Sequence, residues 1–253
     1  MAQLIQSLER GLRILEILGK SDKPLSLGEI AQFFDIDKSS IFRLLSTLTQ
    51  NNFVYQDAET KKYMLGFKIM ELSGAFGEQT KIETFLRPAL KSVCDKTRQN
   101  THLAILHGQE VVFIAVEQPR NGISMHISVG TREPAHATAL GKVLIAFAQK
   151  NEQELLLQGI SFTHYTPHTI VDGDEYRNHL TSIIQNKYAV DDEEYRLGVV
   201  CIAAPVFNHR GEVEYSIGIS GPKDQISPHI ADYITVVQDA GAECSRLLGM
   251  SFR

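Results

Sequence analysis

Two short amphipathic segments that follow each other almost without a break constrain the fold of this chain more than any other feature. In the first, the Ser26 hydroxyl can accept a hydrogen bond from the backbone of Glu29, whose carboxylate can reach back to Ser26, as in a capping box. This segment is predicted to run to about Phe34, and after two further residues Asp37 can cap the second segment. Two capped helices joined by so short a turn predict a helix-turn-helix between Ser26 and Thr49.

The segments on either side complete a winged helix-turn-helix. Leucines recur at three- to four-residue spacing from Leu4 to Leu18, which predicts a first helix. The runs from Phe53 to Gln56 and from Lys62 to Leu65 predict two short strands, and the polar turn between them makes the pair a hairpin, or wing. We expect residues 1–65 to form this domain and residues 66–77 to form a linker helix.

Residues 78–253 have a different pattern and are predicted to form a second domain. A helix to about Thr97 is followed by predicted strands at Thr101–Leu106, Val111–Val116, Ile123–Ile127, Val199–Phe207 and Val213–Ser220, with predicted helices at His136–Ala148, Tyr176–Asn186 and Pro228–Leu248. Helices that flank a run of hairpin-linked strands indicate an α+β fold with a mostly antiparallel sheet.

The outer face of the helix after Asp37 has the composition of a DNA-reading surface. Its hydroxyl-rich, weakly charged residues differ from the glutamate and lysine mixture of an ordinary solvated helix face, which is the alternative interpretation. Arg43 is the best candidate for reading bases, because its guanidinium fork matches guanine O6 and N7, and Phe42 can contact a thymine methyl group. The candidate DNA-binding residues are Ser26, Lys38, Ser39, Ser40, Phe42, Arg43 and Thr47, with Lys61 and Lys62 of the wing.

The charge distribution predicts that this DNA-binding head works in pairs. The chain has a net charge of -5, but the stretch from Met1 to Phe76 is neutral, with nine basic and nine acidic side chains. A neutral head gains little from counterion release, so it cannot hold DNA tightly by charge alone. We therefore expect two heads per DNA site and a dimeric protein.

Composition narrows the remaining classes of protein. The three cysteines are scattered and odd in number, so they predict no disulfide framework, and we expect a protein of the reducing cytoplasm. No signal-peptide pattern opens the chain, and no apolar run approaches the ~18 residues that span a bilayer. We therefore expect no membrane partner.

An enzyme and a DNA-independent sensor are the two alternatives to a DNA-binding protein. The segment Gly218-Ile-Ser-Gly-Pro lacks the spacing of a hydrolase nucleophile motif, and the pair His164 and His168 contains a proline between them but no glutamate. We therefore predict no catalysis and no cofactor. A small-molecule sensor or dimerisation module without specific DNA binding stays open, and a gel-shift assay distinguishes it from a DNA-binding regulator.

Sequence blocks along nearly the whole chain resemble the IclR family of bacterial regulators. The blocks are Ser7-Leu-Glu-Arg-Gly-Leu-Arg-Ile-Leu, Asp37-Lys-Ser-Ser-Ile-Phe-Arg-Leu-Leu, Pro134-Ala-His-Ala-Thr-Ala-Leu-Gly-Lys, Asp191-Asp-Glu-Glu-Tyr-Arg-Leu-Gly-Val-Val-Cys and Ser216-Ile-Gly-Ile-Ser-Gly-Pro. The resemblance implies a winged helix-turn-helix, a dimerising linker helix and an effector-binding domain similar to GAF domains. It also implies homodimers, or dimers of dimers, on palindromic operators of double-stranded DNA, with repression favoured over activation.

One position in the second helix of the motif departs from the family. Members usually have a serine where this chain has Asp37. Both residue types cap helices well, so the cap is expected to hold. An aspartate is repelled by phosphate, so a phosphate contact from this position is not expected.

The resemblance also places a small-molecule site on the concave side of the sheet, under the helix that follows Pro134. Backbone N–H groups at the start of that helix often bind small carboxylates in the family, which agrees with anion binding at helix N-termini. The implied effector-binding residues are Met125, His136, Thr138, Ala139, Leu140, Asp191, Cys201, Gly218 and Ser220. Gly218 stands where some members have a serine, which is expected to enlarge the pocket.

Other roles stay open for several of these residues. Met125, Ala139 and Leu140 are more often residues of a plain apolar core. Cys201 is most simply a buried small apolar residue, and Asp191 is alternatively part of a solvated acidic turn with the three acidic residues that follow it. A metal held by His102 and His136 with Cys201 and Asp191 is a further alternative, but the spacing matches no standard motif, so we predict no metal site. The segments that begin at Thr101 and Ala139 look most like members that control sugar-acid catabolism. We therefore expect a small organic acid, in particular a sugar acid, as the effector.

Overall fold

Three helices and a hairpin make up the N-terminal part of the chain. The computed structural model describes residues 5–72, 82–119 and 127–250, and the chain separates into two units, Met1–Lys81 and Ile82–Arg253. The first unit contains α1 (Gln6–Gly19), α2 (Leu27–Ala31), α3 (Lys38–Gln50), β1 (Val54–Gln56) and β2 (Tyr63–Leu65). Residues 68–72 are helical and are labelled α4. Of the rest of the predicted linker helix, residues 66 and 67 are not helical, and residues 73–77 lie outside the described residues.

Both predicted caps are present in the first unit. The Ser26 hydroxyl accepts a hydrogen bond from Glu29 N at 3.3 Å, and Ser26 N donates to Glu29 Oε2 at 2.7 Å, which completes the capping box. Asp37 Oδ1 accepts from Ser40 N at 2.9 Å at the start of α3. β1 pairs antiparallel with β2, and Leu25 pairs with Tyr63 beside them. The predicted winged helix-turn-helix is confirmed.

The turn between α2 and α3 is longer than predicted. α2 ends at Ala31, not near Phe34, so six residues separate it from the start of α3. Phe33 N donates to Ile30 O at 3.1 Å, and Phe34 N donates to Ala31 O at 3.2 Å. Bonds from residue i+3 to residue i tighten the chain and end the α-helix early, although the apolar spacing continues through them. The prediction of a two-residue turn is wrong for this reason.

The core of the first unit lies where the three helices meet the wing. Ile14, Ile30, Ile41 and Leu45 have no exposed surface, and Val54 of the wing packs against them. Burial of each such side chain contributes about 1.5–3 kcal/mol to stability. Because Ile41 and Leu45 must face this core, the opposite side of α3 must face solvent.

Among the described residues, the second unit contains a six-stranded sheet with helices on both faces. Its elements are α5 (Ile82–Thr97), β3 (Asn100–His107), β4 (Glu110–Glu117), β5 (Arg132–Pro134), a 3-10 turn (Ala135–Ala137), α6 (Ala139–Ala146), α7 (Lys150–Gly159), α8 (Gly173–Asn186), β6 (Ala189–Asp192), β7 (Val199–Phe207), β8 (Val213–Pro222), α9 (Lys223–Ile226), a second 3-10 turn (Ser227–His229) and α10 (Ile230–Leu247). The strand order is β5-β4-β3-β8-β7-β6, and every neighbouring pair is antiparallel. The predicted α+β fold is confirmed.

Successive side chains along each strand point to opposite faces of this sheet, and both faces are buried. One face packs against α5 and α10 in a core that includes Leu90, Leu103 and Ile217. The other face packs against α6 and α8 in a core that includes Phe113 and Tyr176. Buried polar groups need hydrogen-bond partners, so the polar side chains on the second face must find partners in the protein or in a ligand.

Differences between the predicted and observed elements have local causes. The helix predicted from His136 to Ala148 is divided, because Thr138 has an extended backbone and caps α6. The sequence pattern predicts neither α7, which is polar, nor the short strands β5 and β6. The strand predicted at Ile123–Ile127 lies outside the described residues except for its last residue. In the part of the chain that the structure describes, no helix is long and apolar enough to cross a membrane.

Candidate functional site

The outer face of α3 presents an aromatic side chain, a cation and a hydroxyl together. Phe42 is 51% exposed, and its neighbour Arg43 is also exposed. Thr47 lies one turn later, is exposed, and donates its hydroxyl proton to Arg43 O at 3.0 Å. This combination suits a nucleic-acid groove, where apolar contact and a guanidinium fork both read base edges.

The serines at the start of α3 already bind the capping aspartate. Ser40 Oγ donates to Asp37 Oδ2 at 2.8 Å, and Ser39 Oγ donates to Asp37 Oδ1. The hydrogen bonds from Ser39 and then from Ser40 hold the pKa of Asp37 well below its ordinary value. While their protons point at Asp37, Ser39 and Ser40 can act only as acceptors, which suits base amino groups rather than phosphates. Ser26 differs, because its oxygen accepts from the backbone and its proton stays available to a phosphate.

A tight turn in the wing ends at the two consecutive candidate lysines, Lys61 and Lys62. Asp57 Oδ1 accepts from Thr60 N at 2.7 Å, and Gln56 Nε2 donates to Lys61 O at 3.1 Å. Lys61 has a φ of 56°, in the left-handed region that such a turn needs. Lys61 is exposed, whereas Lys62 is half-buried.

A groove between α1 and α3 adds an arginine that the sequence pattern does not single out. Arg10 and Arg43 line this groove together with the hydroxyl residues Ser7, Ser40 and Thr47. The groove has an empty volume of about 560 Å³. Arg10 lies on the polar side of the first amphipathic helix, which is the only signal that the sequence offers for it. Two guanidinium groups beside hydroxyls suit contacts with a phosphate backbone.

A row of polar side chains crosses the sheet of the second unit. In the strand register Asp191 of β6 lies opposite Cys201 of β7, and Cys201 lies opposite Ser220 of β8. Ser220 Oγ lies 2.8 Å from His102 Nε2 in β3. Four neighbouring strands therefore each place one polar side chain on the same face of the sheet.

These side chains line a cavity, called the sheet cavity below, between the sheet and the start of α6. Its empty volume, counted together with the solvent at its open side, is about 440 Å³. The lining residues are His102, Phe113, Ile127, Glu133, Thr138, Ala139, Leu140, Asp191, Tyr195, Arg196, Val199, Cys201, Ile219 and Ser220. Of the residues implied by the family resemblance, the structure brings together Thr138, Ala139, Leu140, Asp191, Cys201 and Ser220.

His102 is a neutral hydrogen-bonding group of the sheet cavity. Burial lowers its pKa to about 3, so the imidazole carries no charge near neutral pH. Its ring lies edge-on to Phe113 with the centroids 5.1 Å apart. Among the described residues, its buried Nδ1 has no hydrogen-bond partner. A neutral imidazole with one free nitrogen can offer a donor or an acceptor to a ligand, according to its tautomer.

Asp191 is a buried carboxyl at the opposite side of the row. It accepts hydrogen bonds from Glu194 N at 2.7 Å and from Tyr195 N at 3.4 Å. Burial raises its pKa to about 6, although Lys142 and these backbone donors oppose the rise. Burial, together with the charge of Asp191, also raises the pKa of the Cys201 thiol well above its ordinary value. The thiol is therefore a weak hydrogen-bonding group rather than a nucleophile.

The start of α6 forms the roof of the sheet cavity. Thr138 Oγ1 accepts from Gly141 N at 3.3 Å and donates to Pro134 O at 3.0 Å. The backbone N–H groups of Ala139 and Leu140, in the first turn, have no acceptor within the helix. A Cβ atom at Gly141 would lie 2.2 Å from Ala135 O, so this glycine lets α6 pack closely on the turn before it.

A buried ion pair fixes α6 to the loop after β6. The Lys142 side chain has no exposed surface, and its Nζ donates to Val190 O at 2.6 Å and to the Glu194 carboxylate. Burial raises the pKa of Glu194 to about 7, and Lys142 opposes the rise. Thr166 and Thr169 donate their hydroxyl protons to the backbone oxygens of the same loop. The roof and the Asp191 side of the sheet cavity are therefore held as one structure.

Three of the residues implied by the family resemblance are not among the lining residues. His136 lies 3.1 Å from Thr163 O through its Nε2 and packs against the ring of Phe162, so it belongs to the core. A Cβ atom at Gly218 would lie 2.6 Å from Ile202 O, so this glycine allows β8 to pack on β7 instead of enlarging the cavity. Met125 lies outside the described residues.

Sequence reasoning misses the charged pair at the edge of the sheet cavity. Glu133 precedes the block that starts at Pro134, and Arg196 lies inside the block that starts at Asp191. Their positions beside these blocks are the signal that could have found them. Within the described residues, no group of His, Cys, Asp and Glu is arranged to hold a metal ion.

Comparison with known proteins assigns both units to one family of domains. Residues 7–58 match the IclR helix-turn-helix domain. Residues 76–246 match the domain described as bacterial transcriptional regulator IclR C-terminal. The two matches follow each other in the order that the sequence blocks predict and together cover most of the chain.

Individual relatives agree with these domain matches over nearly the full length. The chain is 33% identical over 247 residues to the HTH-type transcriptional regulator XynR of Escherichia coli K12, which covers 97% of this chain and 98% of that protein. It is 29% identical over 247 residues to the transcriptional repressor AllR of the same strain, which covers 97% and 91%. The fold matches that of the repressor BlcR of Agobacterium tumefaciens with a TM-score of 0.80 at 23% identity, over 99% of this chain and 100% of that one. These relatives are transcriptional regulators, so the prediction that the chain is not an enzyme is confirmed.

Proposed function

The chain belongs to the IclR family of bacterial transcriptional regulators, and we propose that it binds a palindromic operator as a homodimer or a dimer of dimers. The observation that carries the proposal is the outer face of α3, where Phe42 and Arg43 are both exposed beside Thr47. A recognition helix that presents an arginine fork can read a guanine in the major groove. A neutral head needs a second copy for tight binding, because it gains little from counterion release.

Exposed apolar side chains on the first unit support self-association. On α1, Leu8 is 59% exposed and Leu12 is 54% exposed, and both line an apolar groove with Leu44 and Leu48 of α3. Phe67, in the segment that leads into α4, is 80% exposed. Contiguous apolar surface of this kind marks interfaces more often than free surface. A second copy of the chain would cover it and would also place two recognition helices on one site.

A gel-shift assay with the DNA upstream of the protein's own gene tests the DNA-binding proposal. We expect specific retardation that Arg43→Ala weakens by about 10- to 100-fold, since one bidentate base contact is worth about 1–3 kcal/mol. Arg210→Ala is the matched control, because Arg210 is exposed and pairs with Glu212 in the second unit. No retardation at low salt would favour the alternative of a sensor without specific DNA binding.

A small organic acid in the sheet cavity is the proposed controlling ligand, with sugar acids as the expected class. The N–H groups of Ala139 and Leu140, which have no acceptor within α6, favour a carboxylate, as helix N-termini do in general. His102 and Ser220 on the facing strands can bind ligand hydroxyl groups. The combination fits a hydroxycarboxylate better than a purely apolar acid.

Thermal denaturation with added acids tests the ligand class. Gluconate, galacturonate and 2-keto-3-deoxygluconate are expected to raise the melting temperature, because a ligand that binds only the folded state stabilises it. Benzoate and 4-hydroxybenzoate serve as aromatic controls. If only an aromatic acid stabilises the protein, the sugar-acid proposal is wrong.

Repression released by the acid is the proposed direction of control. The relative AllR is named a transcriptional repressor, and the 29% identity between the two proteins extends over 97% of this chain. Ligand binding would favour a form of the dimer whose recognition helices no longer match the two half-sites. A reporter driven by the upstream DNA should rise when the gene is deleted, and a fall would indicate activation.

A further inference from the structure

An ion pair joins the two edges of the sheet across the sheet cavity. Glu133 lies in β5, at one edge of the strand order, and Arg196 lies in the loop after β6, at the other edge. Arg196 Nη2 donates to Glu133 Oε1 at 3.0 Å. Both side chains line the cavity. The pair therefore bridges two elements that are as far apart in the sheet as its order allows.

The two partners differ in how firmly they are held. The Glu133 side chain is only 9% exposed and lies in a strand that pairs with β4, whereas the Arg196 side chain is 47% exposed and lies in a loop. Arg196 stacks over the Tyr195 ring at 4.9 Å and makes one hydrogen bond to the Glu133 carboxylate. A guanidinium fork has five donors, so this arginine retains donors for a bidentate contact with another carboxylate.

The charges in the lining leave an incoming acid one partner of opposite sign. Asp191 and Glu133 contribute carboxyl groups, His102 is neutral, and Arg196 is the single lysine or arginine among the described lining residues. Like charges repel strongly where water is largely excluded. An anion that entered without contacting Arg196 would meet these carboxyl groups with the backbone N–H groups at the start of α6, but no cationic side chain of the described lining, to offset them.

We propose that Arg196 selects acids over neutral ligands by exchanging Glu133 for the carboxylate of the effector. The proposal rests on the proposed function, because it assumes an organic acid in the sheet cavity. In the empty protein Glu133 balances the arginine and bridges the sheet edges. In the bound protein the ligand replaces that bridge, so Glu133 acts as a built-in competitor that lowers the affinity for acids.

The surroundings of Glu133 explain why the exchange has a cost. Burial raises the pKa of Glu133, and the charge of Arg196 opposes the rise, so the arginine favours the charged form of this carboxyl group. An acid that takes the arginine leaves a buried carboxylate without its cation, which is unfavourable. Removing the charge of Glu133 while keeping its shape removes that cost.

Calorimetric titration of the full-length protein with matched acids and neutral polyols tests the exchange. The probes are gluconate and galacturonate, with glucitol and galactose as their neutral counterparts. Glu133→Gln is expected to bind the acids about 3- to 10-fold more tightly, and Arg196→Gln about 10- to 100-fold more weakly. Neither substitution should change the response to the neutral probes. The opposite signs distinguish a competitor from a structural salt bridge, whose two partners would both weaken binding when removed.

A second ion pair in the same unit supplies the controls. Arg177 and Glu154 form an exposed pair at 2.8 and 3.0 Å outside the sheet cavity, so Arg177→Gln and Glu154→Gln should leave the acid affinity unchanged. If Arg196→Gln does not give a native circular dichroism spectrum, Arg196→Lys replaces it and should bind acids with intermediate affinity.

The outcomes separate this inference from the proposed function. If the wild-type protein binds acids and Arg196→Gln binds them equally well, the role of Arg196 is wrong while the acid site stands. If Glu133→Gln weakens acid binding, the pair is structural and the exchange is wrong. If the wild-type protein binds none of the acids, the proposed function fails for this class of ligand and the exchange fails with it.

Discussion

The two candidate binding surfaces of this protein are stabilised by contacts of very different range along the chain. In the helix-turn-helix, Ser26 caps α2 by binding Glu29, and Asp37 caps α3 by binding Ser40, each three residues away. In the sheet cavity, His102 contacts Ser220 at a separation of 118 residues. A local cap can be lost without disturbing the rest of a domain, whereas a long-range contact is made only when several strands and helices are already in register.

The same contrast applies to charge. Most described cations of the first unit, including Lys38, Arg43 and Lys61, are exposed at the ends of flexible side chains, as contacts with DNA phosphates require. The charged groups of the sheet cavity are largely buried, where each depends on a specific partner. Substitutions in the second unit should therefore have larger effects on stability than substitutions at the caps of the first.

Breaking the buried ion pair between Lys142 and Glu194 should have the largest effect on stability. Lys142→Ala leaves the Glu194 carboxylate buried without its cation, and we expect a loss of about 3–5 kcal/mol in the free energy of unfolding. Urea denaturation followed by circular dichroism measures it. Lys150→Ala is the control, because Lys150 is exposed at the start of α7. A loss below about 1 kcal/mol for Lys142→Ala would show that the long-range contacts are no more costly to break than local caps.

A substitution at the other end of the polar row should stabilise the ligand-free protein. The pKa of Asp191 is raised to about 6 in the folded state, above its value in the unfolded chain, so the folded state binds more protons between the two values. The contribution of this group to stability is therefore present at low pH and is lost as the pH rises through about 6. Asp191→Asn should remove that loss.

The expected change in the free energy of unfolding follows from the size of the pKa shift of Asp191. We expect Asp191→Asn to raise the free energy of unfolding near neutral pH by about 1–3 kcal/mol, with a smaller pH dependence between about pH 4 and 6. Urea denaturation across this pH range measures both quantities. Equal pH dependence in the variant and the wild type would contradict the assignment of a strained, buried charge to this position.

The local cap of the first helix in the motif should matter less. Ser26→Ala removes an acceptor for Glu29 N, and helix caps of this kind are worth about 1 kcal/mol. Ser26→Asp, which can still cap the helix, should recover most of the loss in thermal denaturation. A loss above about 3 kcal/mol would mean that the first unit depends on this cap as strongly as the second depends on its ion pair.

The smallest expected effect belongs to the wing. Lys61→Ala removes an exposed cation that can contact the DNA backbone, so binding should weaken a few-fold for every sequence alike. The slope of log affinity against log salt concentration should become shallower by about 0.9, which is the contribution of one phosphate contact. Affinity measured at several salt concentrations, with Lys20→Ala as the control, tests this. A sequence-dependent change would instead indicate base contact by the wing.

The range of the contacts also explains what the sequence can predict. Caps and apolar stripes are local, so the pattern around Ser26 and Asp37 predicts the helix-turn-helix and the outward face of α3. The end of α2 is predicted wrongly, because a tightened turn at Phe33 and Phe34 keeps the apolar spacing while it ends the helix. Local periodicity cannot distinguish these two conformations.

The sheet cavity is only partly predictable. Six of its residues follow from the family resemblance, because they lie in the blocks that carry it. The pairing of Lys142 with Glu194, 52 residues later, depends on how α6 lies on the sheet. The pairing of Glu133 with Arg196 likewise depends on the curvature that brings the two sheet edges together. Neither pairing has a periodic signal in the sequence.

The central claim is that an acid in the second unit controls DNA binding by α3 of the first. Fluorescence anisotropy of the labelled upstream DNA, titrated with wild-type protein with and without the acid that raises its melting temperature most, tests this claim directly. We expect specific binding that Arg43→Ala weakens by about 10- to 100-fold and that the acid weakens by at least about tenfold, a coupling of about 1.4 kcal/mol. Binding that is equally tight with and without the acid, or that does not depend on Arg43, would contradict it.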